Sequence, residues 1–472
     1  MFLISDACEP SRPALVDAVG ATTLTYAELL ESVRTLARRL EETDGKRLAF
    51  CFTRNDVGAV LGYLAAVQAG HAVLLVDADA LEHGLRLLEI YRPELLLNPP
   101  AAMHDDLLAR GYERLASGEV PIVLKGTRRG AEPDPDLAVL LSTSGTTGSP
   151  KLVRLTRHNV ESNASSICQA LALDRNERAV TSLPINYSYG LSVLNSHLAA
   201  GATITLTNES VLSPTFWEAF RAQECTSFAG VPYSYQILAR TGFDPADTPS
   251  LRTMTQAGGK LASEQVQHFW ELIRARGRFF VMYGQTEATA RMAILPPECL
   301  PEKLGSVGLP IAGGRFEIRS ETGGACPPNE IGEITYTGPN VMMGYALTRG
   351  DLSRADELSN TLATGDLGYL DDDGFLYITG RRTRMSKLYG VRVDLDEVER
   401  LLRLDGPVAV VGNDAKLVIF CETGDSEVFS ENRRALARKL RLHHRAFEFR
   451  RVDSLPLSAN GKIDYAQLNA RI

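Results

Sequence analysis

The chain has 472 residues, of which 44% are hydrophobic and 23% charged, with a formal net charge of -8 at pH 7. That balance is typical of a soluble globular protein and argues against a general nucleic-acid binder, and the length calls for two or more domains. The charge is unevenly divided, because residues 383–472 carry 16 Lys/Arg against 13 Asp/Glu while residues 1–382 carry 34 against 45.

Met1 to Asp6 has no basic segment and soon turns acidic, so it does not read as a signal peptide. Thr25-Tyr26-Ala27-Glu28 opens a predicted amphipathic helix running through Leu40, with Thr25 as N-cap and Glu28 as its capping-box partner. The most apolar window, Ala59 to Val76, contains Gln68, Gly70 and His71, which predicts a buried helix, a turn and a strand rather than a membrane span. The seven cysteines are scattered without a Cys-x-x-Cys pair or a zinc-like cluster with histidine, so reduced thiols and a cytoplasmic location are expected.

A surface connection from Lys125 to Asp136 leads to a predicted buried strand, Leu137 to Leu141, and from it to Ser142-Thr143-Ser144-Gly145-Thr146-Thr147-Gly148-Ser149-Pro150-Lys151. Glycines let backbone N–H groups approach an anion, hydroxyls add donors and Lys151 brings a positive charge, which suits a polyphosphate. The spacing is not that of a Walker A loop. Taken alone, the stretch reads equally as a polar surface loop.

Asn159 to Leu173 is predicted helical, followed by Leu183-Pro184-Ile185-Asn186-Tyr187-Ser188-Tyr189-Gly190, whose tyrosines suit either a ligand pocket or the core. Leu251 to Thr255 reads as a strand leading to Gly258-Gly259, a tight turn or a bare backbone surface for a flat ligand. Farther on come Tyr283-Gly284-Gln285-Thr286-Glu287 and a predicted strand from Ile331 to Gly338. Thr364-Gly365-Asp366 precedes a hairpin that turns at Asp371 to Gly374, and Gly380-Arg381 follows. Arg433 to Arg451 holds eight Lys/Arg and one acid, Glu448, as a solvated face or as a landing place for an anionic partner. Near the end, Asn460-Gly461 would present Lys462 on an exposed turn.

In this order, the Gly-x-x-Gly loop with Pro150-Lys151, Tyr283 to Glu287, Thr364 to Asp366, Lys387 to Asp394 and Leu455 to Asp464 resemble the motifs of the adenylate-forming (AMP-binding) superfamily. That superfamily includes acyl-CoA synthetases, peptide-synthetase adenylation domains and firefly luciferase. Thr25 to Leu30 and Tyr63 to Gly70 resemble its first two motifs and are assigned to scaffold. The resemblance implies an α/β fold: a large N-terminal domain, residues 1–382, of layered α/β sheets plus a distorted β-barrel, and a small mobile α+β domain, residues 383–472, hinged at residues 382–386.

The resemblance also implies the roles of individual residues. Thr143, Ser144, Gly145, Thr146, Thr147, Gly148 and Lys151 would hold the phosphates of ATP, and Gly258 and Gly259 would lie against adenine. Tyr283 would stack on the base beside Gly284, Thr286 would bond the α-phosphate, and Glu287 would hold Mg²⁺. Asp366 would accept the ribose hydroxyls, Arg381 and Lys387 would contact the nucleotide, and Lys462 would be the catalytic lysine. Tyr187, Tyr189, Gly190, Gly230 and Gln285 would border the acid pocket, and Gly390 would serve the thioester step.

The chain departs from the family in lacking the histidine often found where Tyr187 stands, and in lacking a Phe-Asp pair for a substrate amine. A buried ammonium needs a carboxylate partner, so an α-amino acid is disfavoured. Thr383 at the hinge and Asp394 also depart from the family's usual residues. The implied activity is adenylation of an acyl or aryl acid by ATP with Mg²⁺ and transfer to coenzyme A. The same adenylate loaded onto the phosphopantetheine of a separate carrier protein is the alternative, and a nucleotide-binding pseudoenzyme is the rival of another class.

Overall fold

The computed structural model describes residues 1–472 apart from 5–7, 19–21, 42–44, 116–122, 127–129, 144–150, 389–390, 403, 405, 414–415, 441 and 459–461. For residues 143, 383, 385, 387, 388, 391, 392, 394, 397 and 400 it describes the backbone alone. The fold is mixed α/β.

An eight-stranded sheet is built around the parallel strands Leu48–Thr53, Ala72–Asp77, Leu95–Leu97 and Leu137–Thr143. Every residue of Leu48–Thr53 is buried, as a parallel strand covered on both faces requires, so it reads as an unbroken apolar run. Leu137–Thr143 then pairs antiparallel with Lys151–Thr156, with Thr143 opposite Lys151. The hydroxyl-rich stretch thus joins two neighbouring strands of this sheet.

A nine-stranded sheet has six parallel strands at its centre: Pro13–Asp17, Thr203–Leu206, Arg178–Val180, Ser227–Gly230, Thr253–Gln256 and Arg278–Tyr283. Helices Tyr26–Glu41 and Val57–Gln68 pack on each other, as do Arg157–Leu171 and Ser188–Ala199. Their buried side chains join residues of both sheets in one apolar cluster. Local chemistry starts the first of these helices where expected: the Thr25 amide donates to Glu28 Oε2 at 2.8 Å, and Glu28 N–H returns a bond to Thr25 Oγ1 at 3.3 Å. The helix, turn and strand read from Ala59 to Val76 are present as Val57–Gln68 and Ala72–Asp77. Among the described residues no helix is long and apolar enough to cross a membrane.

A third, four-stranded antiparallel sheet follows in the order Arg315–Arg319, Gly332–Thr337, Thr361–Leu370, Leu376–Arg381. Arg315–Arg319 alternates exposed and buried residues, the pattern of a sheet with one wet face. Beyond Arg381 a smaller unit has its own apolar clusters around the strands Val408–Gly412, Leu417–Cys421 and Phe447–Arg451. Its helix Ser426–Leu440 buries Leu436 and exposes Arg434, Arg438 and Lys439. The basic run is therefore in part a solvated helix face.

Candidate active site

The parallel strands of the nine-stranded sheet end at one edge, the carboxyl edge, where open α/β sheets bind ligands. Ser227–Gly230 ends there at Gly230, Thr253–Gln256 leads to Gly258 and Gly259, and Arg278–Tyr283 leads to Gly284. Gly258 has φ +86°, and a Cβ on it would lie 2.6 Å from the Tyr187 hydroxyl, so only glycine fits. At Gly284 a Cβ would lie 1.6 Å from the Ala290 carbonyl oxygen. That glycine is thus demanded by the chain folding back on itself, whatever ligand the turn holds.

Register brings the next group in, because Thr361–Leu370 pairs with Leu376–Arg381 so that Asp366 faces Arg381. The Asp366 carboxylate, 2% exposed, accepts from Arg381 Nε at 2.7 Å, from Gln285 Nε2 at 2.6 Å and from the Tyr283 hydroxyl. Burial, then the charge of Asp366, push the Tyr283 phenol well above its ordinary range, so Tyr283 is the donor. Gln285 also donates to the Thr364 carbonyl at 3.0 Å. Ribose hydroxyls arriving at Asp366 would therefore share it with, or displace, Tyr283 and Gln285.

Thr286 and Glu287 stand in a single 3-10 turn, Thr286–Ala288. The Thr286 hydroxyl lies 3.0 Å from Ser188 Oγ, and Glu287 Oε1 accepts from the Tyr345 hydroxyl at 2.8 Å. Tyr345 belongs to Gly344–Ala346, which pairs antiparallel with Lys151–Thr156, and the Lys151 ammonium lies 3.1 Å from the Tyr345 ring centroid. Lys151, Tyr345 and Glu287 so form a series joining the base of the hydroxyl-rich loop to the Tyr283 turn. Sequence reasoning singled out neither Tyr345 nor Ser188, since their partners lie 58 and 98 residues away.

Replacing Tyr345 by Phe removes one hydroxyl bonded to a carboxylate, so about a tenfold loss is expected. The loss should show as a higher Mg²⁺ concentration for half-maximal ATP–pyrophosphate exchange. An unmoved Mg²⁺ dependence would reduce Tyr345 to a packing role.

Lys462 is exposed as a residue, yet its ammonium points inward, 5.5 Å from the Tyr187 ring centroid, and its Cε lies 3.7 Å from where a Cβ on Gly258 would stand. Loss of water around the ammonium, then the charge of Arg381, lower its pKa from the ordinary lysine value, while Glu287 and Asp366 oppose the shift. Tyr187 and Tyr189 are buried and meet edge to face with centroids 6.4 Å apart. The Tyr189 hydroxyl is bonded to Thr255, at 2.9 Å from its carbonyl oxygen and 2.8 Å from its Oγ1. Gly190 sits in the first turn of Ser188–Ala199. Changing Tyr187 or Tyr189 to Ala is expected to shift relative kcat/KM among acids more than KM for ATP. An unchanged ranking of acids would assign both rings to the core alone.

Ser144, Gly145, Thr146, Thr147, Gly148 and Gly390 lie outside the described residues, as do the side chains of Thr143 and Lys387. Among the described residues no group of three or more His, Cys, Asp or Glu could hold a metal by itself. Glu287 is a hard oxygen donor beside the Thr286 hydroxyl, and this donor chemistry fits Mg²⁺, which typically takes only one or two protein carboxylates and completes its shell with phosphate and water.

The family model described as AMP-binding enzyme matches residues 4–346. The chain is 30% identical to a 2-succinylbenzoate–CoA ligase of Bacillus velezensis, over 98% of this chain and 95% of that protein. It is 30% identical to an oxalate–CoA ligase of Arabidopsis thaliana, over 96% and 94% respectively. Among solved structures, O-succinylbenzoate coenzyme A synthetase from Bacillus subtilis, in complex with ATP and magnesium, superposes with a TM-score of 0.75 at 25% identity, covering 98% of this chain and 97% of that one.

Proposed function

The chain belongs to the AMP-binding enzyme family, and from that premise we propose that it is an ATP-dependent acid–thiol ligase that adenylates a small carboxylic acid and transfers the acyl group to coenzyme A. The observation that carries the reading is the placing of Lys462, from the smaller unit, over Tyr187 and Gly258 and within the electrostatic reach of Glu287, Asp366 and Arg381. A module that only held a nucleotide has no need of a lysine brought from a second unit.

The chemistry has two steps. A carboxylate oxygen of the acid bonds to the α-phosphorus of ATP in line as the bond to the β-phosphate oxygen breaks, and pyrophosphate leaves. The thiol then attacks the acyl carbon, loses its proton, and AMP departs with the electron pair of the acyl–oxygen bond. Acid and phosphate are both anions, so the first step depends on bringing like charges together and stabilising the charge that grows on the phosphoryl oxygens.

Lys462 meets that need as a cation freed of much of its water. Lys151 stands at the base of the Ser144 to Gly148 loop, whose hydroxyls and amides we assign to the phosphates. Asp366 and Tyr283 hold ribose and base, Gly259 completes the bare surface beside Gly258, and Thr286 takes the α-phosphate. Glu287, oriented by Tyr345, would hold Mg²⁺, which when bound supplies positive charge to the phosphate oxygens.

The domain boundary at residue 382 accords with the side-chain anchors. Arg381 and Arg382 bond Asp366 and Glu333 of the large unit, whereas Arg384 is held by Asp396 at 2.5 Å and Glu399 at 2.6 Å in the small one. A chain gripped on both sides of residue 383 is suited to turn there. The seven cysteines are free thiols, in keeping with a cytoplasmic location.

Acid-dependent ATP–pyrophosphate exchange tests the reading. Exchange with at least one carboxylic acid, and thioester on adding coenzyme A, is the expected result. The exposed basic residues Arg434, Arg438, Lys439 and Arg445 favour a second acceptor, the phosphopantetheine of an acidic carrier protein, and thioester formed only with a carrier would select it. Tight nucleotide binding without exchange over a broad panel of acids would leave a nucleotide-binding pseudoenzyme.

A further inference from the structure

Arg384 stands two residues beyond residue 382, where the large unit gives way to the small one, and its side chain is 14% exposed. Three segments of the small unit close on it: helix Leu395–Leu401, strand Val408–Gly412 and helix Tyr465–Asn469. Nη2 donates to Glu399 Oε1 at 2.6 Å and to the Val410 carbonyl at 3.3 Å. Nε lies 2.5 Å from Asp396 Oδ1, as a charge pair rather than a hydrogen bond. Against the flat face lies the Tyr465 ring, its centroid 3.7 Å from the guanidinium carbon. A planar guanidinium can be gripped at its edge and on its face at once, which an ammonium cannot.

Tyr465 closes the ring of contacts. Its hydroxyl lies 3.2 Å from both oxygens of Glu399, and Glu399 Oε1 also accepts from the Val410 amide at 2.7 Å. Burial, then the charge of Glu399, push the phenol above its ordinary range, so Tyr465 is the donor. Tyr465 comes three residues after Lys462, and the segment between is tied to its own flank. The Ser458 amide donates to the Lys462 carbonyl at 2.7 Å, the Lys462 amide to Ser458 Oγ at 3.3 Å, and the Asp464 amide to the Pro456 carbonyl at 2.8 Å. A shift of Tyr465 therefore carries Lys462 with it. On the other side, Asp396 Oδ2 accepts from the Arg381 amide at 3.1 Å, and Arg381 Nε bonds Asp366 at 2.7 Å. A line of contacts thus runs from Asp366 through Arg381, Asp396, Arg384 and Tyr465 to the segment of Lys462. Leu395 and Val398 already bury the apolar side of their helix in the core of the small unit. A buried ion pair adds little net stability to such a core, and what it supplies here is direction.

We propose that Arg384 is a positioning residue for adenylation: held between Tyr465, Asp396 and Glu399, it fixes the Lys462 segment so that the ammonium stands over Tyr187, without itself touching substrate. This rests on reading the chain as an acid-activating ligase in which Lys462 serves the first step. The side chain that follows the connection between the units is thereby the one that aims the lysine. Tyr465 is the arm through which it acts, the ring taking the cation and the hydroxyl taking Glu399. Thioester formation does not call on Lys462, so it does not call on Arg384 either.

The test uses the full chain and an acid that supports pyrophosphate exchange in the wild-type protein. Arg384→Met is expected to lower kcat for exchange by about tenfold or more, the scale of loss when a reacting group is slightly misplaced. KM for ATP should change little, and conversion of a supplied acyl adenylate to thioester should be kept. Arg384→Lys, which retains the charge but not the planar face, should fall between Arg384→Met and wild type. The deciding comparison is made in Lys462→Ala protein, where no ammonium is left to place and Arg384→Met should lower exchange no further. A merely structural loss would lower exchange by the same factor in both backgrounds and lower thioester formation with it. Should Arg384→Met fail to fold, Tyr465→Phe keeps the ring and removes only the hydroxyl bonded to Glu399. It is expected to lower exchange severalfold with the same sparing of the second step. Equal loss of both half-reactions, a further loss in Lys462→Ala protein, or unchanged exchange in the folded variant would overturn the proposal. Absence of exchange by the wild-type protein with every acid of a broad panel would instead overturn the ligase reading beneath it.

Discussion

Lys462→Ala is expected to slow acid-dependent ATP–pyrophosphate exchange by about 10²-fold or more, the typical loss when one preorganised charge is taken from a transition state. The ammonium lies over Tyr187 beside Gly258, and the loss of water that lowers its pKa also strengthens its pull on a nearby phosphate. Conversion of a supplied acyl adenylate to thioester should survive, since that step breaks the bond from the acyl carbon to oxygen and leaves every bond to the α-phosphorus in place. The complementary variant is Gly390→Trp. By the family resemblance it should spare exchange and block thioester formation, two faces of one small domain serving the two steps in turn. Equal loss of both half-reactions in both folded variants would sink the idea of an alternating lid.

The pH profile gives a second check on the same residue. Lys462 would act as a cation, and loss of water around it, then the charge of Arg381, lowers its pKa from the ordinary lysine range. Exchange should therefore decline with rising pH before an ordinary lysine would lose its proton, and Lys462→Arg, whose charge persists, should push that decline to higher pH.

Glu287→Gln is expected to cost about 10²-fold or more in Mg²⁺-dependent exchange with little change in thermal stability. The two side chains are nearly equal in shape, and the amide oxygen can still accept from the Tyr345 hydroxyl that now bonds Oε1. What is lost is the charge that would hold a divalent cation against the phosphates. The size of the loss separates this variant from Tyr345→Phe, which leaves the carboxylate in place and removes only its orienting bond. Near wild-type exchange in a well-folded Glu287→Gln protein would take Glu287 out of the metal site.

Much of the candidate site was legible in the sequence because its signals are local. Thr25 and Glu28 cap a helix within one turn, Asp371 to Gly374 turns a hairpin between apolar strands, and Leu137 to Leu141 is apolar enough to be a buried strand without further context. The stretch from Tyr283 to Glu287 likewise holds three of the groups proposed for the site within five residues. Gly284 shows the limit of such reading: the glycine sits inside a motif assigned to the nucleotide, yet its immediate cause is the Ala290 carbonyl behind it.

The α/β class, the division into a large and a small unit and the short motifs proposed for phosphate, carboxylate and lysine chemistry could be read from the chain alone, because each depends on residues close together in it. Only the tertiary structure decided which of those groups meet. Strand register puts Arg381 across from Asp366, and Tyr283 reaches Asp366 over a separation of 83 residues. Packing of three separate segments ties Lys151 to Glu287 through Tyr345. Such contacts have no sequence period and no fixed spacing. They arise from how sheets and helices close on one another.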